Sequence, residues 1–307
     1  MKALVLKFEG RASPYVSDDL ADGLNAMGHQ AILLDFRQFD ELDKVEQALE
    51  VISDIRAAVS QFYPDAVFAY GLNSFFSFVR PDGVKTDLFN FLGVPQVCLF
   101  YDAPTDPRVF DIGYRTYNPK NNYFLIWDQF YVDEMKKYGF ENSFYMPIAS
   151  NIRRFKKLQY NEEDAERFSA DVSFVGSYTY KRELILTPLL DNFNLAVWGY
   201  EWEKARDARF KNCVRGVADN ETELVKVYNY SKVNINVTVD QGIGSLNMRV
   251  FDCMASGGFL ISDDKADFDT LFDKKNEVVT YKYAKELPGL VRYYLDHEDE
   301  RMELARR

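Results

Sequence analysis

The stretch from Val233 to Ser262 constrains the fold of this chain more than any other. It reads V-N-I-N-V-T-V, then D-Q-G-I-G-S, then L-N-M-R-V-F-D-C-M-A-S-G-G, then F-L-I-S. A β-branched run, a glycine loop, a helical pattern that stops at Gly-Gly and a second apolar run predict one βαβ unit. The helix start faces the glycine loop, and a helix start favours a phosphate because its N–H groups are free and its dipole end is positive.

The helix of this unit is apolar except for two charges. Arg249 and Asp252 fall with Ser245 on one helical face. Charges on a largely buried helix are costly unless a partner neutralises them. A nucleotide would do so, with its phosphates on Arg249 and its ribose hydroxyls on Asp252. A structural Arg–Asp pair within the helix explains the pattern equally well, so both interpretations stay open.

Strand-like and helix-like segments alternate along the whole chain, and their apolar runs favour parallel strands covered on both faces. We predict strands at 3–8, 31–36, 65–71, 96–102, 123–128 and 143–147, and again at 171–176, 195–199, 212–217, 233–239, 259–262 and 277–281. The 307 residues are enough for two domains. The prediction is an α/β chain with two Rossmann-type lobes, 1–150 and 151–307, and a ligand in the crevice between them.

Composition excludes several classes of function. A net charge of -11 argues against a broad nucleic-acid or anionic-membrane surface. No run is long enough for a membrane span, and the N-terminal M-K-A-L-V-L-K-F-E-G reads as a strand rather than a signal peptide, so a cytoplasmic protein is expected. Two histidines and three scattered cysteines give no credible histidine metal site, histidine triad or disulfide framework.

Residues after the strands of the second lobe are expected to line one rim, because ligands lie beyond the carboxyl ends of parallel strands. The candidate binding residues there are Gly176, Ser177, Tyr178, Trp198, Gly199, Tyr200, Gly216, Val217, Gly244, Ser245, Leu246 and Asn247. The aromatic members and their glycine neighbours would cradle a base by stacking and backbone contacts. Aromatic residues at strand ends are, however, more often part of the core.

Two cations follow the first of these strands. Lys181 and Arg182 lie just inside a predicted helix start, where positive charge opposes the helix dipole. That placement is poor for stability and good for binding an anion. A solvated Lys-Arg face is the alternative for either residue taken alone.

One carboxylate stands out in the first lobe. Asp102 ends the strand Q-V-C-L-F-Y and opens the turn A-P-T-D-P. A carboxylate at this strand end would suit a general base or a group that orients a hydroxyl. An ordinary turn residue ahead of proline is at least as good an interpretation. Asp106 is a second candidate.

The run L-N-M-R-V-F-D-C-M-A-S-G-G-F-L-I-S-D resembles the donor-site segment of the CgeB-like (spore maturation protein type) glycosyltransferases, relatives of glycosyltransferase family 4. The segments 145–155 and 172–182 extend the resemblance. It implies a GT-B fold, two Rossmann-like lobes with parallel sheets facing a central cleft. It further implies that Asp252 contacts the ribose of a nucleotide sugar, that Lys181 and Arg182 hold its diphosphate, and that configuration is retained.

This chain departs from that family at one position. Family 4 enzymes usually carry a Glu eight residues before the ribose-binding acid, where it touches the donor sugar, and Gly244 stands here instead. Sugar recognition would then fall to the amides of the 242–247 loop or to Asp240.

Together these observations predict a metal-independent glycosyltransferase that moves a sugar from a UDP-sugar to an unidentified acceptor hydroxyl. Asp102, Lys181 and Arg249 are its expected catalytic residues, with no cofactor beyond the donor. The D-F-D triplet at 267–269 mimics a metal motif but is expected to cap a helix. A non-catalytic two-lobed binding protein and a sugar-nucleotide epimerase are the alternatives.

Overall fold

The computed structural model describes residues 1–8, 13–37, 45–71, 77–79, 82–104 and 118–307. These residues divide into two units, Met1–Pro147 and Ile148–Arg307. Among them no helix is both long and apolar enough to cross a bilayer.

The N-terminal unit is a six-stranded parallel sheet with helices. Its elements are β1 (Lys2–Lys7), α1 (Ser13–Ala26), β2 (Gln30–Asp35), α2 (Val45–Phe62), β3 (Ala66–Tyr70), β4 (Ser77–Val79), β5 (Lys85–Asp87), α3 (Leu88–Leu92), β6 (Gln96–Phe100), β7 (Asn122–Ile126), α4 (Gln129–Lys137) and β8 (Ser143–Tyr145). The strand order is β2-β1-β3-β6-β7-β8, and β4 and β5 form a separate antiparallel pair.

Both faces of this sheet are buried, as the apolar runs predict. Along β1, Leu4 and Leu6 pack on one face in a cluster with α2, while Ala3 and Val5 pack on the other in a cluster with α1. Successive side chains of a strand point to opposite faces, so a strand covered on both sides must be apolar throughout.

The C-terminal unit repeats this plan. Its elements are α5 (Glu162–Phe168), β9 (Ala170–Val175), α6 (Tyr180–Leu186), β10 (Leu195–Trp198), β11 (Val214–Gly216), α7 (Leu224–Tyr230), β12 (Ser231–Asn236), α8 (Met248–Ala255), β13 (Leu260–Asp263), α9 (Asp267–Leu271), β14 (Val279–Tyr281), α10 (Leu287–Asp296) and α11 (Glu298–Arg306). The strand order is β11-β10-β9-β12-β13-β14, parallel throughout.

Strand β12 explains the alternating V-N-I-N-V sequence. Val233 and Ile235 pack in the main core cluster of this unit. Asn234 is also buried, and it accepts a hydrogen bond from Ser173 Oγ at 2.6 Å while its amide donates to the Phe259 carbonyl. The polar half of the alternation is therefore satisfied inside the protein rather than turned to solvent.

The predicted strands are all present to within a few residues of their expected ends, and the predicted α/β class with two parallel sheets is confirmed. One expectation was wrong in detail. The D-F-D triplet lies in the first turn of α9, but the N-cap residue is Ala266, so neither aspartate occupies the N-cap position.

Candidate functional site

The direction of chain progression reverses at β9 in the C-terminal sheet. The chain runs from β9 outward through β10 to β11, then returns to β12 on the other side of β9 and continues to β13 and β14. Such a switch point leaves a crevice at the carboxyl ends of the two central strands, where open α/β sheets bind ligands. The loops after β9 and β12 are therefore the candidate ligand-binding segments.

Arg182 bridges the two sides of this switch point. It extends from α6, is only 3% exposed, and donates from Nη1 to the Ser177 carbonyl after β9 at 2.7 Å and from Nη2 to the Val237 carbonyl after β12 at 3.3 Å. Among the described residues no carboxylate forms an ion pair with it. Burial, and then the like charge of Arg249, lower the pKa of its guanidinium to about 10.

Arg249 supplies a second cation beside it. Its Nε is buried and finds no hydrogen-bond partner, and the side chain makes no ion pair with any residue in the described parts of the chain. The structural Arg–Asp pair considered for α8 is therefore not formed. Arg249 is thus near enough for its charge to act on Arg182, and in the described parts of the chain no carboxylate contacts either guanidinium group. Such an arrangement is costly unless an anion joins the two cations.

Lys181 is placed differently from its neighbour. Its Nζ donates to the Thr238 carbonyl at 3.0 Å and to Asp240 Oδ1 at 2.8 Å. Asp240 is largely exposed, and its hydrogen bond and charge interaction with Lys181 lower its pKa. Lys181 is thus neither a free solvated cation nor a core residue, but tied to the loop that follows β12.

Gly176 and Gly199 follow β9 and β10, and Gly216 ends β11. Gly176 N donates to the Trp198 carbonyl at 2.8 Å, and Gly199 N donates to the Gly216 carbonyl at 2.7 Å. All three glycines have positive φ, and a Cβ on Gly199 would lie 2.1 Å from the Gly176 carbonyl oxygen. No other residue fits at Gly199 without moving the turn that presents Ser177 to Arg182.

Trp202 completes this turn, and sequence reasoning missed it. Its Nε1 donates to the Gly176 carbonyl at 2.8 Å, and its ring packs edge-on against Tyr178. Tyr178 in turn donates from its hydroxyl to the buried carboxylate of Glu183 at 2.8 Å. In sequence Trp202 is one more aromatic residue after a strand, so only the fold reveals that its indole N–H holds the glycine turn.

Several predicted binding residues are corrected by their burial. The indole of Trp198 is 2% exposed and stacks on Phe168, so it has no face for a base. Leu246 packs in a core cluster with Val250. Asn247 is the N-cap of α8: its Oδ1 accepts from Arg249 N at 3.1 Å, and its amide donates to Asn236 at 3.0 Å. The side chains of Leu246 and Asn247 are thus engaged within the protein, and contact of the 242–247 backbone amides with a ligand stays a prediction.

Other predicted residues remain on the surface of the same rim. Tyr200 and Val217, which follow β10 and β11, are both exposed. Gly244 lies in the loop after β12, where its carbonyl accepts from Asp267 N at 3.0 Å. Ser245 is buried.

Asp252, the predicted ribose ligand, is only 4% exposed. Its negative charge acts on the buried hydroxyl of Tyr228, whose pKa is raised mainly by burial and secondarily by Asp252, whereas Arg249 lowers it. Asp252 and Arg249 are therefore both near enough to act electrostatically on the buried Tyr228 hydroxyl.

Asp102 belongs to the N-terminal unit. It follows β6, is exposed, and accepts a hydrogen bond from Tyr70 Oη at 3.0 Å. Burial and the adjacent Asp102 charge raise the pKa of Tyr70, so this phenol stays a neutral donor. Asp106, the second candidate, lies outside the described residues. Within the described ranges no group of His, Cys, Asp and Glu side chains is arranged to hold a metal ion.

Comparisons with known proteins bear on the fold and on the family resemblance of the C-terminal unit. Residues 181–307 match the model of a glycosyl transferase-like family. No curated protein sequence matches the chain.

Solved structures resemble the chain over nearly its full length. A glycosyltransferase from Rickettsia africae is 12% identical over 99% of this chain and 91% of that protein, with a TM-score of 0.67. HepE from Anabaena in complex with UDP and glucose is 10% identical over 99% and 92%, with a TM-score of 0.63. A sucrose-phosphate synthase from Thermosynechococcus elongatus is 11% identical over 99% and 92%, also with a TM-score of 0.63. The chain therefore has the GT-B fold, and residues 181–307 of its C-terminal unit are similar to a glycosyl transferase-like family.

Proposed function

We propose that this protein transfers a sugar from a nucleotide-diphosphate donor, a UDP-sugar, to an acceptor hydroxyl. One observation carries the proposal: Arg182 and Arg249 lie together at the switch point of the C-terminal sheet with no carboxylate in contact among the described residues. A diphosphate is the anion that would compensate both charges. The Anabaena structure, which contains UDP and glucose, supports the choice of nucleotide.

The two arginines would act on the reaction mainly through their charge. When the bond between sugar and diphosphate breaks, negative charge grows on the leaving phosphate. Preorganised cations in a desolvated site stabilise that charge at no reorganisation cost. Because Arg182 is buried and bonded to two carbonyls, its contribution would be a fixed positive field. Arg249, whose Nε has no hydrogen-bond partner among the described residues, would contact the phosphate.

The remaining roles follow the placement of the residues. The C-terminal unit would be the donor lobe, with Tyr200 and Val217 against the base, and the N-terminal unit would be the acceptor lobe. Asp102 would orient or deprotonate the acceptor hydroxyl. With cations supplied by the protein, the reaction would need no metal ion, and retention of configuration follows from the family resemblance.

Two other functions deserve a test. A non-catalytic nucleotide-binding protein would use the same arginine pair but would release no free nucleotide. An epimerase would change the sugar while leaving the donor intact, and would need acid and base groups on both sides of the sugar ring. Release of nucleotide that depends on an added acceptor separates transfer from both.

The test is turnover with a panel of nucleotide sugars, with and without a panel of added hydroxyl acceptors, following release of nucleotide. We expect UDP from one UDP-sugar, and at least a ten-fold loss of kcat/KM in Arg249→Met, which corresponds to about 1.4 kcal/mol. Arg215→Met is the matched control, because Arg215 is an exposed arginine of β11 that bonds the Arg167 and Ser169 carbonyls before β9. Equal losses in the two variants, or no nucleotide release from any donor, would contradict the proposal.

A further inference from the structure

The glycine loop, residues 238–244 between β12 and α8, is held almost entirely by polar contacts. Val239, Asp240, Gln241 and Ile243 are all exposed, so the loop buries little apolar surface that could fix its position. Hydrogen bonds must therefore supply what packing usually does.

Lys181 of α6 supplies two of these hydrogen bonds, to the Thr238 carbonyl and to Asp240. Several others come from residues 263–267 at the end of β13. Asp263 Oδ1 accepts from both the backbone N and the Oγ1 of Thr238, each at 2.9 Å, and so fixes the start of the loop. Asp267 N donates to the Gly244 carbonyl at 3.0 Å and fixes its end. Backbone and carboxylate thus secure the two ends of the loop.

Lys265 contacts the middle of the glycine loop. Its Nζ donates to the carbonyl of Gly242 at 2.7 Å and lies 3.5 Å from the carbonyl of Ile243. Lys265 forms no ion pair with any described residue, so loop carbonyls are the acceptors of its charge in this structure. A hydrogen bond from a charged donor is stronger than one between neutral groups.

The turn at Gly242 is tightly packed. Gly242 is buried and closes a tight turn in which its N–H donates to the Val239 carbonyl at 3.1 Å. A Cβ on Gly242 would lie 2.8 Å from Thr238 Cγ2, so the turn folds back on the start of the loop. Removing the ammonium group would leave a buried carbonyl of this turn without its partner.

We propose that Lys265 is a positioning residue for the donor: it holds the glycine loop in the conformation that binds the nucleotide diphosphate. This inference rests on the proposed function. If only a fraction of molecules has the loop in place, the apparent Kd for the nucleotide rises in inverse proportion to that fraction. Loss of the Lys265 contacts is expected to weaken binding in this way, without removing a group that touches the ligand.

The experiment compares Lys265→Met and Lys265→Arg with Lys282→Met in the full chain. Lys282 is the matched control, because it lies near the same end of the sheet but is exposed and no closer than 4.0 Å to Asp264. Calorimetry measures the Kd for UDP, and hydrogen exchange of the ligand-free protein measures opening of the peptide 238–246.

We expect Lys265→Met to raise the Kd for UDP by about ten-fold, equivalent to about 1.4 kcal/mol, and to speed exchange in the loop. Lys265→Arg should restore much of both, and Lys282→Met should match the wild type. Unchanged loop exchange in Lys265→Met would overturn the proposal even if the Kd rose, since that result indicates direct contact with the ligand.

Failure of the proposed function gives a different result. A wild-type protein that neither binds UDP nor releases nucleotide would refute glycosyl transfer from a UDP-sugar, and with it the link to donor binding. The exchange data would then test only the contact between Lys265 and the loop. Faster exchange in Lys265→Met would show that Lys265 holds the loop, and unchanged exchange would overturn that as well.

Discussion

Replacing Gly199 by alanine should be among the most damaging single-methyl changes in the C-terminal unit. The new Cβ would lie 2.1 Å from the Gly176 carbonyl oxygen and 2.4 Å from its carbon, and both atoms belong to backbone. To remove this clash, the turn at Gly176 and the turn at Gly199 must separate by about 1 Å, since an ordinary Cβ contact is at least about 3.4 Å. Gly176 is not free to move, because its carbonyl also accepts from Trp202 Nε1.

The cost can be estimated from two contributions. Overpacking against fixed backbone costs about 1–3 kcal/mol, and an alanine at a φ of +157° adds strain of about 1 kcal/mol or more. We therefore expect a loss of about 3 kcal/mol in the free energy of unfolding. For a unit of this size that corresponds to a drop in Tm of roughly 6–12 °C.

Urea unfolding followed by tryptophan fluorescence is the assay, because Trp198 and Trp202 lie beside the substituted position. Two other glycines provide controls. Gly216→Ala also has a positive φ, but its Cβ meets no atom within 4 Å, so it should cost only about 1 kcal/mol. Gly289→Ala, in α10 with open space around it, should be neutral or stabilise by up to about 1 kcal/mol.

Equal stability of Gly199→Ala and Gly216→Ala would refute this reasoning, since the two differ in the steric contact and share the positive φ. A loss in Gly199→Ala that is accompanied by faster hydrogen exchange at 176–178 would support it. That pattern places the damage at the turn that presents the Ser177 carbonyl to Arg182.

Three further outcomes are expected. UDP at about 100 times its Kd should stabilise the wild type by roughly 2.7 kcal/mol in thermal unfolding, and this shift should vanish in Arg249→Ala; an unchanged shift would remove Arg249 from the site. Asp102→Asn should leave the Kd for UDP nearly intact while kcat falls by about 10² to 10⁴, whereas near-normal turnover would make Asp102 a turn residue. Tyr228→Phe should stabilise the unliganded protein by up to about 1 kcal/mol in urea unfolding, because the buried hydroxyl has no hydrogen-bond partner among the described residues. A clear loss of stability in this variant would show that the hydroxyl does have a partner.

The fold could be predicted from the sequence because its signal is local. Apolar strands that alternate with helices can pack only as parallel sheets covered on both faces, and the Gly-Gly stop after α8 marks where its helix ends. The loop between β12 and α8 was found for the same reason, since its glycines stand out between a strand and a helix.

The partners of individual side chains could not be predicted, because they depend on contacts between segments far apart in sequence. Lys181 and Arg182 are neighbours on α6, yet one bonds an exposed aspartate and the other is buried against two carbonyls. Lys265 carries no motif at all, and Trp202 looks like any core aromatic residue. Trp198 shows the opposite error: an aromatic residue at a strand end suggested stacking on a base, but it faces the core.

The three cations near the switch point differ in how far the protein itself satisfies them. Lys181 has an ion pair, Arg182 has two carbonyls, and Arg249 Nε has nothing among the described residues. A buried cationic group without a partner, such as the Nε of Arg249, lowers the stability of the folded protein, and a second cation nearby lowers it further. An anionic ligand that pairs with both cations restores that stability. Because this deficit is greatest at Arg249, an anion gains most by binding there, and the same residue should dominate both the affinity for the diphosphate and the stabilisation that the ligand brings.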